Sequence, residues 1–93
     1  MAVKVRIPTI LRTYTDGASE VAVEPPEPTL ASLLDDLEES APGIRARVLD
    51  DTGALRRFVN VYVDDEDVRF TDGLETPVKD GAQVSIIPAV AGG

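Results

Sequence analysis

The chain has 93 residues with 17 acidic and 9 basic side chains, and it contains no histidine, cysteine or tryptophan. This length suits one domain, and 43% hydrophobic content is enough for one compact core. A net charge of −8 argues against a phosphate-backbone binder or a polybasic membrane anchor, so no nucleic-acid or membrane partner is expected. Without cysteine there is no disulfide scaffold, thiolate catalysis or zinc finger, and without histidine the commonest general base and metal ligand is missing.

The opening Met1 to Arg6 alternates valine with charge and leaves no continuous apolar signal region. No later stretch is long and apolar enough to span a bilayer, so a cytoplasmic protein is the expectation. Val3, Val5 and Ile7 alternate with Lys4 and Arg6, which predicts a strand with one buried face. Pro8 ends its pairing. Asp16-Gly17 is a turn signal, and Val21 and Val23 then alternate with polar and small residues as the second arm of a hairpin. The intervening loop is longer than two residues, because Pro8 to Thr15 does not alternate cleanly.

Pro25, Pro26 and Pro28 make a stiff connector, and Thr29 suits a helix N-cap. Leu30, Leu33, Leu34 and Leu37 follow at i, i+3, i+4 and i+7, which places four leucines on one stripe. Asp35, Asp36, Glu38 and Glu39 fall mostly opposite, in turns where the helix dipole disfavours acids, and read as a solvated face. Pro42-Gly43 stops the helix, and Ile44, Val48 and Leu49 predict a second short helical turn.

After a loop at Asp50–Gly53, Arg57 to Val63 predicts the strongest strand, with Val59, Val61 and Val63 on one face and Phe58, Asn60 and Tyr62 on the other. Asp64 to Asp67 predicts an acidic turn leading into a short strand at Val68–Phe70. Asp72-Gly73 and Asp80-Gly81 mark further turns, and Gln83 to Pro88 is the last strand.

Strands at both ends with one main helix between them suit an α+β, β-grasp (ubiquitin-like) fold. Its mixed sheet of about five strands carries the helix on one face, with the first and last strands parallel at the centre. Val3, Val5, Ile7, Leu34, Leu37, Val61, Val84 and Ile86 would form much of the core. Residues 1–88 would make the domain and residues 89–93 a flexible C-terminal diglycine tail.

Catalytic constellations are scarce. Counted from Asp65, the sixth and twelfth positions of an EF-hand loop would be Phe70 and Thr76, so a calcium register fails and no metal ligands are expected. No serine has an imidazole to activate it, and there is no phosphate-cradling glycine loop. The chain is therefore not expected to be an enzyme. What remains is the small, uncharged tail Ala89-Val90-Ala91-Gly92-Gly93, which follows directly from the last strand. Glycine lacks Cβ, so Gly92 and Gly93 can thread a narrow channel in another protein and present an uncrowded α-carboxylate. If Val61 and Ile86 face the helix, Phe58, Ile87 and Pro88 lie on the open side of the sheet beside the tail, as candidate partner contacts. The acidic surface would suit a basic docking face.

Four stretches, Ile7–Arg12, Arg57–Val63, Asp65–Phe70 and Asp80–Gly93, together make the sequence resemble the ubiquitin-like sulfur carrier proteins of the MoaD/ThiS family. Within it the likeness is nearest to the actinobacterial CysO-type branch, and it covers nearly the whole chain. The resemblance implies that an E1-like partner uses ATP and magnesium to adenylate the Gly93 carboxylate and a sulfur donor then leaves a thiocarboxylate there. The carrier itself binds no cofactor. A sulfur-accepting synthase would take in Ala89 to Gly92 and use the sulfur, for cysteine biosynthesis or for a thiosugar or another sulfur-containing metabolite. A metallohydrolase would be a further partner where the product must be released. The carrier would be a monomer when free. Two alternatives stay open: a ubiquitin-like modifier or docking module using the same tail, and a molybdopterin synthase small subunit.

Overall fold

The computed structural model describes residues 2–57 and 59–88, with Pro88 described as backbone. Its regular elements are β1 (Val3–Arg6), β2 (Glu20–Val23), α1 (Leu30–Ser40), α2 (Arg45–Val48), β3 (Val59–Val63), β4 (Glu66–Asp67) and β5 (Gln83–Pro88). Short 3-10 turns occupy Thr9–Thr15, Val68–Phe70 and Gly73–Glu75. The strands form one sheet in the order β2-β1-β5-β3-β4, with β1 and β5 parallel and every other pair antiparallel. This is the expected β-grasp, with the two ends of the chain meeting at the sheet centre.

The period-two patterns decide which face is covered. Val3 and Val5, Val59, Val61 and Val63, and Val84 and Ile86 are all buried, and Leu30, Leu33, Leu34 and Leu37 of α1 close over them. All eight core residues expected from the sequence are buried. Ile44, Val48 and Leu49 join them from α2 and its ends, and Leu11, Val68 and Val78 from segments where no periodicity marks them.

Helix α1 starts as its sequence dictates. Thr29 is extended and its hydroxyl accepts from the Ser32 N–H at 3.2 Å, while the Ser32 hydroxyl accepts from the Glu27 N–H at 3.2 Å. The acidic face of the helix departs from the simple solvated reading. Asp36 accepts from the Glu24 N–H at 2.9 Å, Glu38 accepts from the N–H groups of Gly43 and Arg45 at 2.9 Å each, and Asp35 pairs with Arg45 at 2.9 Å. Asp36 and Glu38 satisfy backbone donors of the proline connector and of the start of α2, and Asp35 gains a cation, which offsets their unfavourable place on the helix dipole. The two donors also hold the Glu38 carboxyl below its ordinary range.

Gly43 is required where the chain leaves α1. Its φ is +100°, and a Cβ there would lie 2.9 Å from Tyr14 Cε1. The Tyr14 hydroxyl in turn accepts from Arg47 Nε at 2.7 Å, so the Thr9–Thr15 turn is pinned to α2.

Two strand boundaries differ from expectation. The β3 strand begins at Val59, because the Val59 N–H turns back to the Arg56 carbonyl at 3.1 Å and ends the pairing there. The short strand after the acidic turn is Glu66–Asp67, and Val68–Phe70 is a 3-10 turn. The Asp67 side chain accepts from the Arg69 N–H at 2.9 Å, which caps that turn and swings the fully buried Val68 into the core. Asp64 and Asp65 form the two-residue hairpin loop at φ 49° and 73°, where glycine or asparagine is the usual choice. Reciprocal bonds compensate: Asp64 N–H donates to the Gln83 carbonyl at 2.9 Å, and the Asp64 carboxylate accepts from the Gln83 N–H at 3.0 Å.

Candidate functional site: the end of the central strand

The last described residues of β5 lie between β1 and β3, with Arg6 opposite Ser85 on one side and Ile87 opposite Asn60 on the other. Because Val84 and Ile86 point into the core, Ser85 and Ile87 belong to the open face. Ile87 is 47% exposed there, as the alternation predicted. A core strand thus delivers the chain to the rim of the sheet at a fixed place and in a fixed direction. Strands on both sides pair with it up to Ser85, and from Ile86 to Pro88 β3 alone does.

Beside this exit lies a cleft of about 370 Å³ lined by Arg6, Pro8, Arg12, Ser85 and Ile87, among others, with no acid among the described residues of its lining. Arg12 is set by the Thr9–Thr15 turn and its Nε donates to the Ile7 carbonyl at 3.2 Å. Across Ile87, the Arg69 guanidinium donates to Asn60 Oδ1 at 2.6 Å and to the Arg56 carbonyl. Three guanidinium groups therefore frame one exposed isoleucine where the chain leaves the sheet. Such a set offers charge, donors and apolar contact, which suit docking. The carboxyls held below their ordinary range are elsewhere. Glu38 lies on α1, and Asp50, held down mainly by the Thr52 hydroxyl and then by the Thr52 and Ala54 N–H groups, lies in the loop after α2.

Of the residues singled out from the sequence, Ile87 is on the open face, and Pro88 is paired with Val59 at the end of β5. Phe58, Ala89, Val90, Ala91, Gly92 and Gly93 lie outside the described residues. Sequence reasoning overlooked Arg6 and Arg69 as features of this end, and it passed over Phe70 and Ile10, which are 87% and 61% exposed. Arg6 had a readable signal, since it occupies an outward position of the first strand. Arg69 had none, because its placement depends on the 3-10 turn after Asp67. Among the described residues no group of three side chains could hold a metal ion, and no helix is long and apolar enough to cross a membrane.

Comparison with known proteins follows the same outline. The sulfur carrier protein CysO of Mycobacterium tuberculosis is 50% identical over 95 aligned residues, covering all of both chains. A chain in the crystal structure of the Amycolatopsis orientalis BexX/CysO complex superposes with a TM-score of 0.88 at 53% identity, covering 98% of this chain and 99% of that one. Small archaeal modifier protein 3 of Haloferax volcanii is 37% identical over 65 residues, 70% of each chain. The model of the ThiS family matches residues 5–93, which includes the terminal diglycine. On its sheet topology, its full-length identity to a carrier and that family match, the chain belongs to the ThiS family.

Proposed function

We propose that this chain is a sulfur carrier that works as a protein co-substrate, with the Gly93 carboxylate as its reactive group. The observation that carries this reading is the full-length identity of 50% to sulfur carrier protein CysO. The domain, residues 1–88, positions the tail, and residues 89–93 serve as the arm that enters partner active sites. In the first step a carboxylate oxygen of Gly93 attacks the α-phosphorus of ATP on an E1-like enzyme, and magnesium pyrophosphate leaves. This converts a poor electrophile into an acyl-adenylate with a good leaving group. A sulfide equivalent then attacks the acyl carbon, AMP departs, and the C-terminal thiocarboxylate remains. A client synthase takes up Ala89 to Gly92 and uses the sulfur as nucleophile. Cysteine formation fits the name CysO, and the BexX/CysO complex supports the reading that a carrier of this kind docks on a separate protein. Ile87 supplies the apolar part of the contact, and Phe58 and Pro88 are its further candidates from the sequence.

Intact mass measurement after incubation with the activating enzyme, ATP and sulfide tests this directly. Replacement of one carboxylate oxygen by sulfur adds about 16 Da, and no cysteine in the chain can confuse the result. An unchanged mass with an active partner enzyme would refute the carrier reading. A second reading, a protein modifier, is favoured by the 37% identity to small archaeal modifier protein 3. It predicts isopeptide-linked lysine conjugates in cell extract, with the Gly93 carbonyl on the lysine nitrogen.

A further inference from the structure

The chain carries 17 acidic against 9 basic residues, which by itself points to a basic docking partner. The distribution of charge at the tail exit points the other way. Arg6 and Arg12 line the cleft beside β5 without an acid among the described residues of its lining, and Arg69 lies across Ile87 on Asn60. None of the three forms an ion pair within 4 Å among the described residues, where the one such pair is Arg45–Asp35. Glu20 stands opposite Arg6 in the β1–β2 register, yet its carboxylate is 3.4 Å from the Gln83 amide that donates to it. Asp67, opposite Tyr62 on the same face, is committed to the Arg69 N–H. The acids Glu27, Asp35, Asp36 and Glu39 cluster instead around the outer side of α1, which is packed on the other face of the sheet.

Geometry makes this local charge decisive. Five residues separate Pro88 from the Gly93 carboxylate, so the chain reaches at most about 17 Å beyond the sheet rim. An enzyme that encloses that carboxylate must bring its surface over the Arg6–Arg12–Ile87–Arg69 end. There the carrier is locally cationic, and contacts closer than a Debye length respond to local groups more than to net charge.

We propose that the enzyme which adenylates Gly93 receives this end of the carrier on an acidic rim, with carboxylates of the partner flanking an apolar contact for Ile87. The proposal rests on the sulfur-carrier reading and adds the chemistry of the docking surface. Arg6, Arg12 and Arg69 are then orientation and affinity groups. The acidic α1 side faces away and keeps the carrier soluble.

The test uses the full chain and the same activating enzyme, following pyrophosphate release. Arg6→Glu is the cleanest variant, because among the described residues the Arg6 side chain makes no hydrogen bond that its loss would break. It should raise KM for the carrier about threefold and leave kcat within about twofold. Combined reversal at Arg6, Arg12 and Arg69 should raise KM at least about tenfold, and raising the salt concentration should shrink that difference. Lysine at the same three positions should restore most of the affinity, which separates charge from lost fold, and thermal melting checks the fold. Neutralising Asp35 and Glu39 to the amides should change KM by less than about twofold. An unchanged or lower KM for folded Arg6→Glu, or a large drop in affinity on neutralising the α1 acids, would overturn the acidic-rim proposal while leaving the carrier reading intact. If the unaltered chain releases no pyrophosphate with an enzyme active on another carrier, both fall together.

Discussion

The two faces of the sheet are built to opposite rules. On the covered face Val3, Val5, Val61, Val84 and Ile86 meet the leucines of α1 and are essentially closed to solvent. On the open face Lys4, Arg6, Ser85, Ile87, Asn60 and Tyr62 alternate with them along the same strands, and Ile87 remains half exposed. One set of backbone hydrogen bonds serves both faces. Stability and recognition are thereby separated by a single residue step, and substitutions one position apart should read out in different assays.

Substitutions can break that separation or sharpen it. Deleting Gly92 and Gly93 should abolish thiocarboxylate formation while thermal melting stays unchanged, since on the carrier reading it removes the reacting carboxylate and leaves every described core residue in place. Leu34→Ala should lower unfolding free energy by about 3 kcal/mol, measured by denaturant titration, because it leaves a cavity beneath α1. Ile87→Ala, one step from the buried Ile86, should cost under about 1 kcal/mol in the same titration yet raise KM for the activating enzyme severalfold. Asp65→Gly should stabilise the β3–β4 hairpin by about 0.5–1 kcal/mol, since residue 65 sits at φ 73° and glycine takes that conformation without the Cβ penalty.

The smallest effect expected is a pH dependence. The folded pKa of Glu38 is lowered from its usual 4.5 by the Gly43 and Arg45 N–H groups. Its contribution is thus fully present above that usual value and is lost as pH falls through the folded one. Glu38→Gln should melt below the parent chain near neutral pH, and the gap should close in acid. A gap that persists unchanged well below pH 4.5 would show that Glu38 acts through packing and not through its charge.

The legible parts of this fold share one property: their pattern is periodic. The leucine stripe, the alternating valines of β1, β3 and β5, and the Thr29 cap all follow from local spacing, and the β-grasp arrangement follows from their order. The less legible parts depend on single side-chain contacts, local or distant, that no repeat in the sequence marks. Val68 reads as a strand residue until the Asp67 cap turns the chain, and the acids of α1 read as solvated until Glu24, Gly43 and Arg45 supply their partners. The site divides in the same way. Ile87 was readable by alternation, whereas the approach of Arg69 to Asn60 depends on a turn whose capping bond spans only two residues. Charge totals are silent on the site for a related reason, because a sum over 93 residues says nothing of where each group sits.

The parallel pairing of β1 with β5 has a further consequence for the timing of synthesis. Val5 sits opposite Val84, so the centre of the sheet joins residues 79 positions apart. A nascent chain cannot close that sheet until β5 has been made, and the ordering cost of such a distant contact must be met before its burial repays it. The strand that completes the sheet is also the one that precedes the proposed reactive terminus. On the carrier reading, an activating enzyme that needs both the sheet rim and the Gly93 carboxylate should discriminate against unfinished or misfolded copies, so that activation doubles as a check on folding.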